Sequence, residues 1–115
     1  MDASVYSVVT TAHFDRLLKK LAPKHSDLVE RFEEAAGVLS LDPYNKSHKY
    51  PIKKLQGVPA GEGQYRLRSG RFRFRYDIAG REVVLLYCGL RREDQRRVHY
   101  QVSNARPRVP GVRLP

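Results

Sequence analysis

Arginines recur at every second position in two neighbouring segments of the chain. Residues 64–69 read Gln-Tyr-Arg-Leu-Arg-Ser, and residues 71–78 read Arg-Phe-Arg-Phe-Arg-Tyr-Asp-Ile. Side chains of a β-strand alternate between the two faces of a sheet, so each segment carries arginines on one face and apolar residues on the other. Because the apolar rows need one common core, the opposite face is predicted to carry five arginines: Arg66, Arg68, Arg71, Arg73 and Arg75.

Five like charges on one face are unfavourable for a sheet, because like charges directly opposite each other destabilise strand pairing. A guanidinium group can contact phosphate through two parallel N–H donors and can stack on bases. The alternative is that arginine is merely the polar residue of a face turned to water. A set of five arginines without a lysine favours binding, and we predict a phosphate-binding face.

Further basic residues flank these segments, namely Lys53 and Lys54 before them and Arg91, Arg92 and Arg96 after them. They are predicted to extend the same track for RNA, although loop lysines and charged helix faces are often only solvated. His99 and Tyr100 follow directly. An imidazole and a phenol in an arginine-rich setting can transfer protons, so this pair is a candidate for acid–base chemistry.

The positive charge is concentrated in the second half of the chain. The formal net charge is +10, and residues 1–50 contain seven Lys/Arg and seven Asp/Glu, whereas residues 51–97 contain twelve Lys/Arg and five Asp/Glu. Such an asymmetric distribution favours a polyanionic partner, most simply a nucleic acid. An acidic protein or an anionic membrane surface would also be attracted.

Several function classes are disfavoured by composition. The chain of 115 residues suits one domain, contains no apolar run long enough to span a bilayer, and begins without a signal-peptide pattern. The single cysteine, Cys88, excludes a disulfide framework and suggests a cytoplasmic protein. The histidines outside the pair with Tyr100 lack metal-ligand spacing, and no glycine-rich phosphate loop is present. We therefore expect neither a metal nor a cofactor.

The coarse pattern is that of an α+β fold. A β-branched run over 5–10 predicts an N-terminal strand, and apolar stripes over 14–21 and 28–39 predict an αα-hairpin. A connection over 44–63 leads to three strands at 64–69, 71–78 and 81–89, an antiparallel meander with the helices packed on one face. Tyr87 falls in the apolar last strand and is predicted to be a core residue. A polar helix is predicted over 91–102, which gives a domain over 1–102 and a flexible tail over 103–115.

Three segments together resemble the RelE/ParE superfamily of toxins. They are Lys-Lys-Leu-Gln-Gly at 53–57, the arginine-rich run at 64–78, and Gly-Leu-Arg-Arg-Glu at 89–93. The order of elements, a strand followed by two helices and a meander, is also similar to that of the family. The resemblance extends over residues 5–100 and implies a RelE-like fold.

The resemblance implies the toxin of a type II toxin–antitoxin pair, which cuts mRNA in the ribosomal A site without a metal ion. In this family the RNA 2′-hydroxyl attacks the adjacent phosphate, and fixed cations stabilise the developing charge. By motif, the catalytic residues implied are Arg66, Arg68, Arg73, Arg91, His99 and Tyr100. Tyr100 lies further from Arg91 than the terminal tyrosine of the family does.

Two other functions remain open for a member of this superfamily. ParE-type members share the fold but attack DNA gyrase and lack the cutting residues, and a relative could bind RNA without cutting it. Either toxin function implies an acidic antitoxin as partner, because a chain at +10 is neutralised by an acidic segment.

Overall fold

The computed structural model describes residues 5–91, which form one five-stranded sheet covered by two α-helices. In chain order the elements are β1 (Ser7–Thr10), α1 (Ala12–Leu21), a 3₁₀ helix (Ala22–Lys24), α2 (Leu28–Leu41), β2 (Ile52–Lys54), β3 (Tyr65–Ser69), β4 (Phe72–Ala79) and β5 (Glu82–Leu90). The strand order is β1-β5-β4-β3-β2. β1 runs parallel to β5, and the other neighbours are antiparallel. The predicted α+β class is confirmed.

The first helix begins where a threonine can cap it. The Thr11 side chain accepts a hydrogen bond from the Phe14 backbone N–H at 3.1 Å, which satisfies one of the donors left free at a helix N-terminus. Thr11 is thus the N-cap residue of α1. The second helix begins after Asp27 without a side-chain cap.

Two glycine turns build the meander. Gly70 and Gly80 have φ values of 63° and 62°, a region that glycine adopts without the steric cost of a side chain. They join β3 to β4 and β4 to β5 in the register that short turns impose.

β2 is an element that the sequence did not reveal. Its three residues lie inside the stretch 44–63 that was interpreted as a connection, and they pair antiparallel with β3. A run of three residues is too short to show the alternation by which strands are identified. The connection therefore contains the edge strand of the sheet.

The core lies between the helices and one face of the sheet, as predicted. Phe14 on α1 and Leu28, Ala35 and Leu39 on α2 are buried against apolar residues of the strands, which are Leu67, Phe72, Phe74, Tyr76, Val83, Leu85 and Cys88. The buried Tyr76 hydroxyl donates a 2.7 Å hydrogen bond to the Pro43 carbonyl, so the polar end of this core side chain is satisfied.

The predicted helix over 91–102 falls outside the described residues apart from Arg91, and the predicted tail over 103–115 lies wholly outside them, as do Arg92, Arg96, His99 and Tyr100. The domain boundary at residue 102 stays a prediction for the same reason. Within residues 5–91, neither helix is long and apolar enough to cross a membrane.

Candidate nucleic-acid interface

Four of the arginines face each other across β3 and β4. Arg66 is the cross-strand partner of Arg75, and Arg68 is the partner of Arg73. Directly opposed residues share a face of the sheet, and the intervening Leu67, Phe74 and Tyr76 belong to the core beneath the helices. We call the face turned away from the helices, with Arg66, Arg68, Arg73 and Arg75, the arginine face. Alternation therefore correctly predicted these four positions.

The register separates the two lysines of β2. Lys53 pairs with Arg66 and thus lies on the arginine face, whereas Lys54 pairs with Tyr65. The Lys54 ammonium group lies 5.7 Å from the centroid of the Tyr65 ring, a cation–π distance on the other side of the sheet. Both lysines are exposed. Only Lys53 extends the arginine face across a third strand.

Arg71 does not follow the predicted alternation, and the prediction that it lies on the arginine face is wrong. It precedes β4 in the turn, and its Nη2 atom donates a 3.0 Å hydrogen bond to Asp27 Oδ1 at the start of α2. The Arg71 hydrogen bond lowers the pKa of the Asp27 carboxyl below its ordinary value. The guanidinium group also lies 5.2 Å from the Phe72 ring centroid. Because β4 begins only at Phe72, pleating does not determine where this side chain points.

The Arg75 side chain has a structural role, because it binds a loop of the same chain. Its side chain is 1% exposed, and its guanidinium donates to the backbone carbonyls of Glu62 at 3.1 Å and Gly63 at 3.0 Å. Gly63 has φ of 84°, and a Cβ there would lie 3.0 Å from the Arg75 Cβ, so only glycine fits this close approach. Arg75 was predicted to bind RNA from an exposed position, but in the fold its side chain is buried under the loop.

Asp77 holds the same loop from the other side. Its carboxylate accepts backbone N–H groups from Gly61 at 2.6 Å, Gln64 at 2.8 Å and Gly63 at 3.2 Å. Burial raises the pKa of Asp77, while the three amides and Arg75 act in the opposite direction. Together, Asp77 and Arg75 pin residues 61–64 onto β4; we call this arrangement the loop clasp.

The cations that stay accessible form a band at one side of the loop clasp. Lys53, Arg68 and Arg91 are exposed and Arg66 is partly exposed, whereas Arg73 is 4% exposed and lies deeper. Arg91 follows β5, and its backbone N–H donates to the Arg71 carbonyl, which places it at the sheet end that holds the Arg68–Arg73 pair. Several cations on one surface can contact the phosphate backbone of a nucleic acid at more than one point, which a single charge cannot do.

A β-bulge in β5 places a tyrosine that the sequence assigned to the core. The register shifts between Arg75 and Tyr76, so that Tyr87 pairs with Arg75 and Leu85 pairs with Tyr76, which leaves Leu86 as an extra residue. Tyr87 thus lies on the arginine face, 4% exposed. Tyr87 is buried, as predicted for a core residue, but it lies on the face of the sheet opposite to the helices. A bulge has no sequence signal of its own in an apolar run, so alternation alone could not show which face this side chain occupies.

Residues 5–91 contain no group of three or more His, Cys, Asp or Glu side chains placed to hold a metal ion. Cys88 is buried in the core, and burial raises the pKa of its thiol to about 12.

Among solved structures, the chain is similar to one in the toxin–antitoxin complex RelBE2 from Mycobacterium tuberculosis, with 32% sequence identity and a TM-score of 0.56. The match covers 75% of this chain and 98% of that one. The chain belongs to the RelE-like toxin family. No family model matches the sequence, and no curated protein matches it. Identity at this level, over nearly the whole of the other chain, agrees with the five-stranded sheet and paired helices described above.

Proposed function

We propose that this RelE-like toxin is a metal-independent endoribonuclease that cuts mRNA on the ribosome. The observation that carries the proposal is the placement of Arg66, Arg68 and Arg73 on the face away from the helices, with Arg68 directly opposite Arg73 across β3 and β4. Arg75 has a structural role in the loop clasp. Placing Arg68 directly opposite Arg73 costs strand-pairing energy, which favours a role for this pair in binding.

The chemistry suits fixed cations. When the RNA 2′-hydroxyl attacks the neighbouring phosphate, negative charge builds up on the phosphate oxygens, and donors already in place stabilise it without reorganisation. Arg68 and Arg66 are accessible to a phosphate, and Arg73 lies beneath them as a buried cation, whose field is less screened than that of an exposed one. Arg91 would close the site at the end of β5. The proton-transfer roles of His99 and Tyr100 remain part of the proposal on the family resemblance alone.

Induced expression followed by primer extension on cellular mRNA tests the proposal. Wild-type protein is expected to arrest growth and to leave new 5′ ends within translated codons. Arg68→Ala and Arg73→Ala should each lower the cleavage rate by about 100-fold, as when one transition-state donor is lost. Circular dichroism checks that both variants fold.

A matched control is Arg81→Ala. Arg81 is an exposed arginine in the β4–β5 turn, at the end of the sheet away from Arg68, and donates only to the Val5 carbonyl among the described residues. Its loss should leave cleavage unchanged. Broken DNA with intact mRNA would instead indicate a gyrase poison, and absence of growth arrest would indicate a relative that binds RNA without cutting it.

We further propose that an acidic antitoxin is the partner of this chain. The similar structure is a toxin–antitoxin complex, and the net charge of +10 calls for an acidic segment. An antitoxin laid over the arginine face would neutralise it and block RNA at once. Co-expression with the small acidic protein of a neighbouring reading frame should give a co-purifying complex and restore growth.

A further inference from the structure

Two independent features of β5 place the Tyr87 side chain on the arginine face. The first is the bulge. Without it, strict alternation from Val83 and Leu85 would direct Tyr87 into the core; with it, Cys88 takes the core position opposite Phe74 and Tyr87 lies opposite Arg75. Bulges re-aim side chains and are frequent beside functional sites.

The second feature is a glycine that makes room for the ring. A Cβ added to Gly89 would overlap the hydroxyl oxygen and ring of Tyr87, so the phenol lies along β5 with its polar end over Gly89. Gly89 does not adopt a positive φ, so its backbone does not require glycine. Glycine is required at position 89 because any larger residue would clash with the Tyr87 ring and hydroxyl.

The location of the hydroxyl follows from the register. Gly89 is the direct cross-strand partner of Arg73, and opposed Cα atoms of an antiparallel pair are about 5 Å apart. Because the Tyr87 hydroxyl lies over Gly89, it is placed beside the Cα of Arg73, on the face where the Arg73 side chain begins.

We propose that Tyr87 is a positioning residue, whose hydroxyl holds the Arg73 guanidinium in its place on the arginine face. A phenol oxygen accepts an N–H from a guanidinium and keeps its own proton to donate onward. Tyr87 and Arg73 are both 4% exposed, and a buried guanidinium needs acceptors for its donors. Tyr87 therefore acts through Arg73 and does not meet RNA from solvent. The consequence for cleavage rests on the proposed nuclease function; the positioning itself does not.

The positioning is tested on the protein without RNA. In a ¹⁵N-arginine NMR spectrum, the Nη2–Hη2 resonance of Arg73, assigned by its absence in Arg73→Lys, should be protected from exchange in the wild type. Tyr87→Phe is expected to shift this resonance and raise its exchange rate at least tenfold. The matched control is Tyr76→Phe, which removes a buried tyrosine hydroxyl from the helix side of the same strand pair. An Arg73 resonance that is the same in Tyr87→Phe as in the wild type would overturn the proposal.

The consequence is tested in a ribosome-programmed cleavage assay. Tyr87→Phe should lower kcat about tenfold with KM within twofold, since an incorrectly held Arg73 binds substrate but stabilises the transition state less well. Tyr76→Phe should keep both constants. In an Arg73→Lys background, removing the Tyr87 hydroxyl should cost less than twofold, because its partner is already altered. Equal losses in both backgrounds would refute action through Arg73. An inactive wild type would refute the nuclease, while the NMR result would still decide the positioning.

Discussion

At the scale of single residues, the same side-chain type serves different purposes within one short stretch. Arg71 forms an ion pair with Asp27 of the helix layer, Arg75 holds two loop carbonyls, and Arg68 stays exposed. Their sequence context differs little, since each alternates with an aromatic or aliphatic residue. What distinguishes them is the position of the neighbouring turn and loop, so mutational effects should differ in kind: stability for Arg75, RNA chemistry for Arg68.

The two lysines of β2 give a residue-scale prediction. Lys53→Ala should raise the Kd for a non-cleavable RNA about fivefold and lower the salt dependence by about one phosphate contact, because its ammonium lies on the arginine face. Lys54→Ala is the matched control, since Lys54 lies over Tyr65 on the other side. Fluorescence anisotropy at several salt concentrations measures both. Equal losses for the two variants would contradict the register argument.

At the scale of elements, the loop clasp is what joins the edge strand to the rest of the site. Three backbone donors meet Asp77, and two carbonyls meet Arg75, all within residues 61–64. The loop is also closed on itself, because the Leu55 N–H donates to the Gln64 carbonyl and the Gln64 side chain donates to the Val58 carbonyl. The clasp thereby fixes the segment that links Lys53 of β2 to Arg66 of β3.

Asp77→Asn is expected to lower the free energy of unfolding by about 2–3 kcal/mol. An amide keeps one acceptor oxygen but turns an NH₂ group towards backbone donors, and an unsatisfied buried donor costs about 1–3 kcal/mol. Urea denaturation followed by circular dichroism measures the change. Asp15→Asn, an exposed carboxylate on the first turn of α1, is the control and should cost about 0.5 kcal/mol. A similar loss in both variants would argue against the clasp.

Cys88 provides a probe of the sheet and its helix cover. Burial raises the pKa of this thiol to about 12, so only about one molecule in 10⁴ carries the thiolate at pH 8. Iodoacetamide at pH 8 should leave the folded protein unlabelled and should label it fully in urea, as followed by mass spectrometry. Because the chain has one cysteine, no second site can confuse the reading. Labelling of the native protein at the unfolded rate would show that the core between β4, β5 and the helices opens readily.

At the scale of the whole molecule, charge and architecture are separated along the chain. Residues 1–50, which supply both α-helices, are electrically balanced, and the excess charge begins with the segment that carries β2 to β5. The sheet therefore presents most of its cations on the arginine face, and the helices cover the other face. A polyanion approaching the molecule is attracted to the arginine face more than to the helix layer.

RNA affinity should therefore depend steeply on salt. Among residues 5–91, four accessible cations lie on or beside the arginine face, namely Lys53, Arg66, Arg68 and Arg91, and together they are expected to contribute a slope of about −3 for single-stranded RNA. A rise from 50 to 200 mM salt should then weaken binding of a non-cleavable RNA about 50-fold. Arg68→Ala should reduce the slope by about 0.7, and Arg81→Ala should do so less. A flat salt dependence would mean that phosphates do not contact this face.

The amino-acid sequence determined a large part of this picture through local rules. Alternation assigned Arg66, Arg68, Arg73 and Arg75 to one face, because the side-chain period of a strand is a property of the backbone and needs no knowledge of distant residues. The helical stripes and the glycine turns follow from equally local preferences. The family resemblance, carried by the same residues, agrees with the similarity to a solved toxin–antitoxin structure.

The tertiary structure decided what depends on contacts between distant segments. Arg75 is buried because a loop twelve residues earlier folds back on it, and Arg71 leaves the row because Asp27, 44 residues away, meets it. One extra residue in β5 places the buried Tyr87 on the arginine face instead of the face covered by the helices. These three placements depend on contacts between segments that are distant in the sequence. Local sequence rules do not predict such contacts, because they form only when the whole chain is folded.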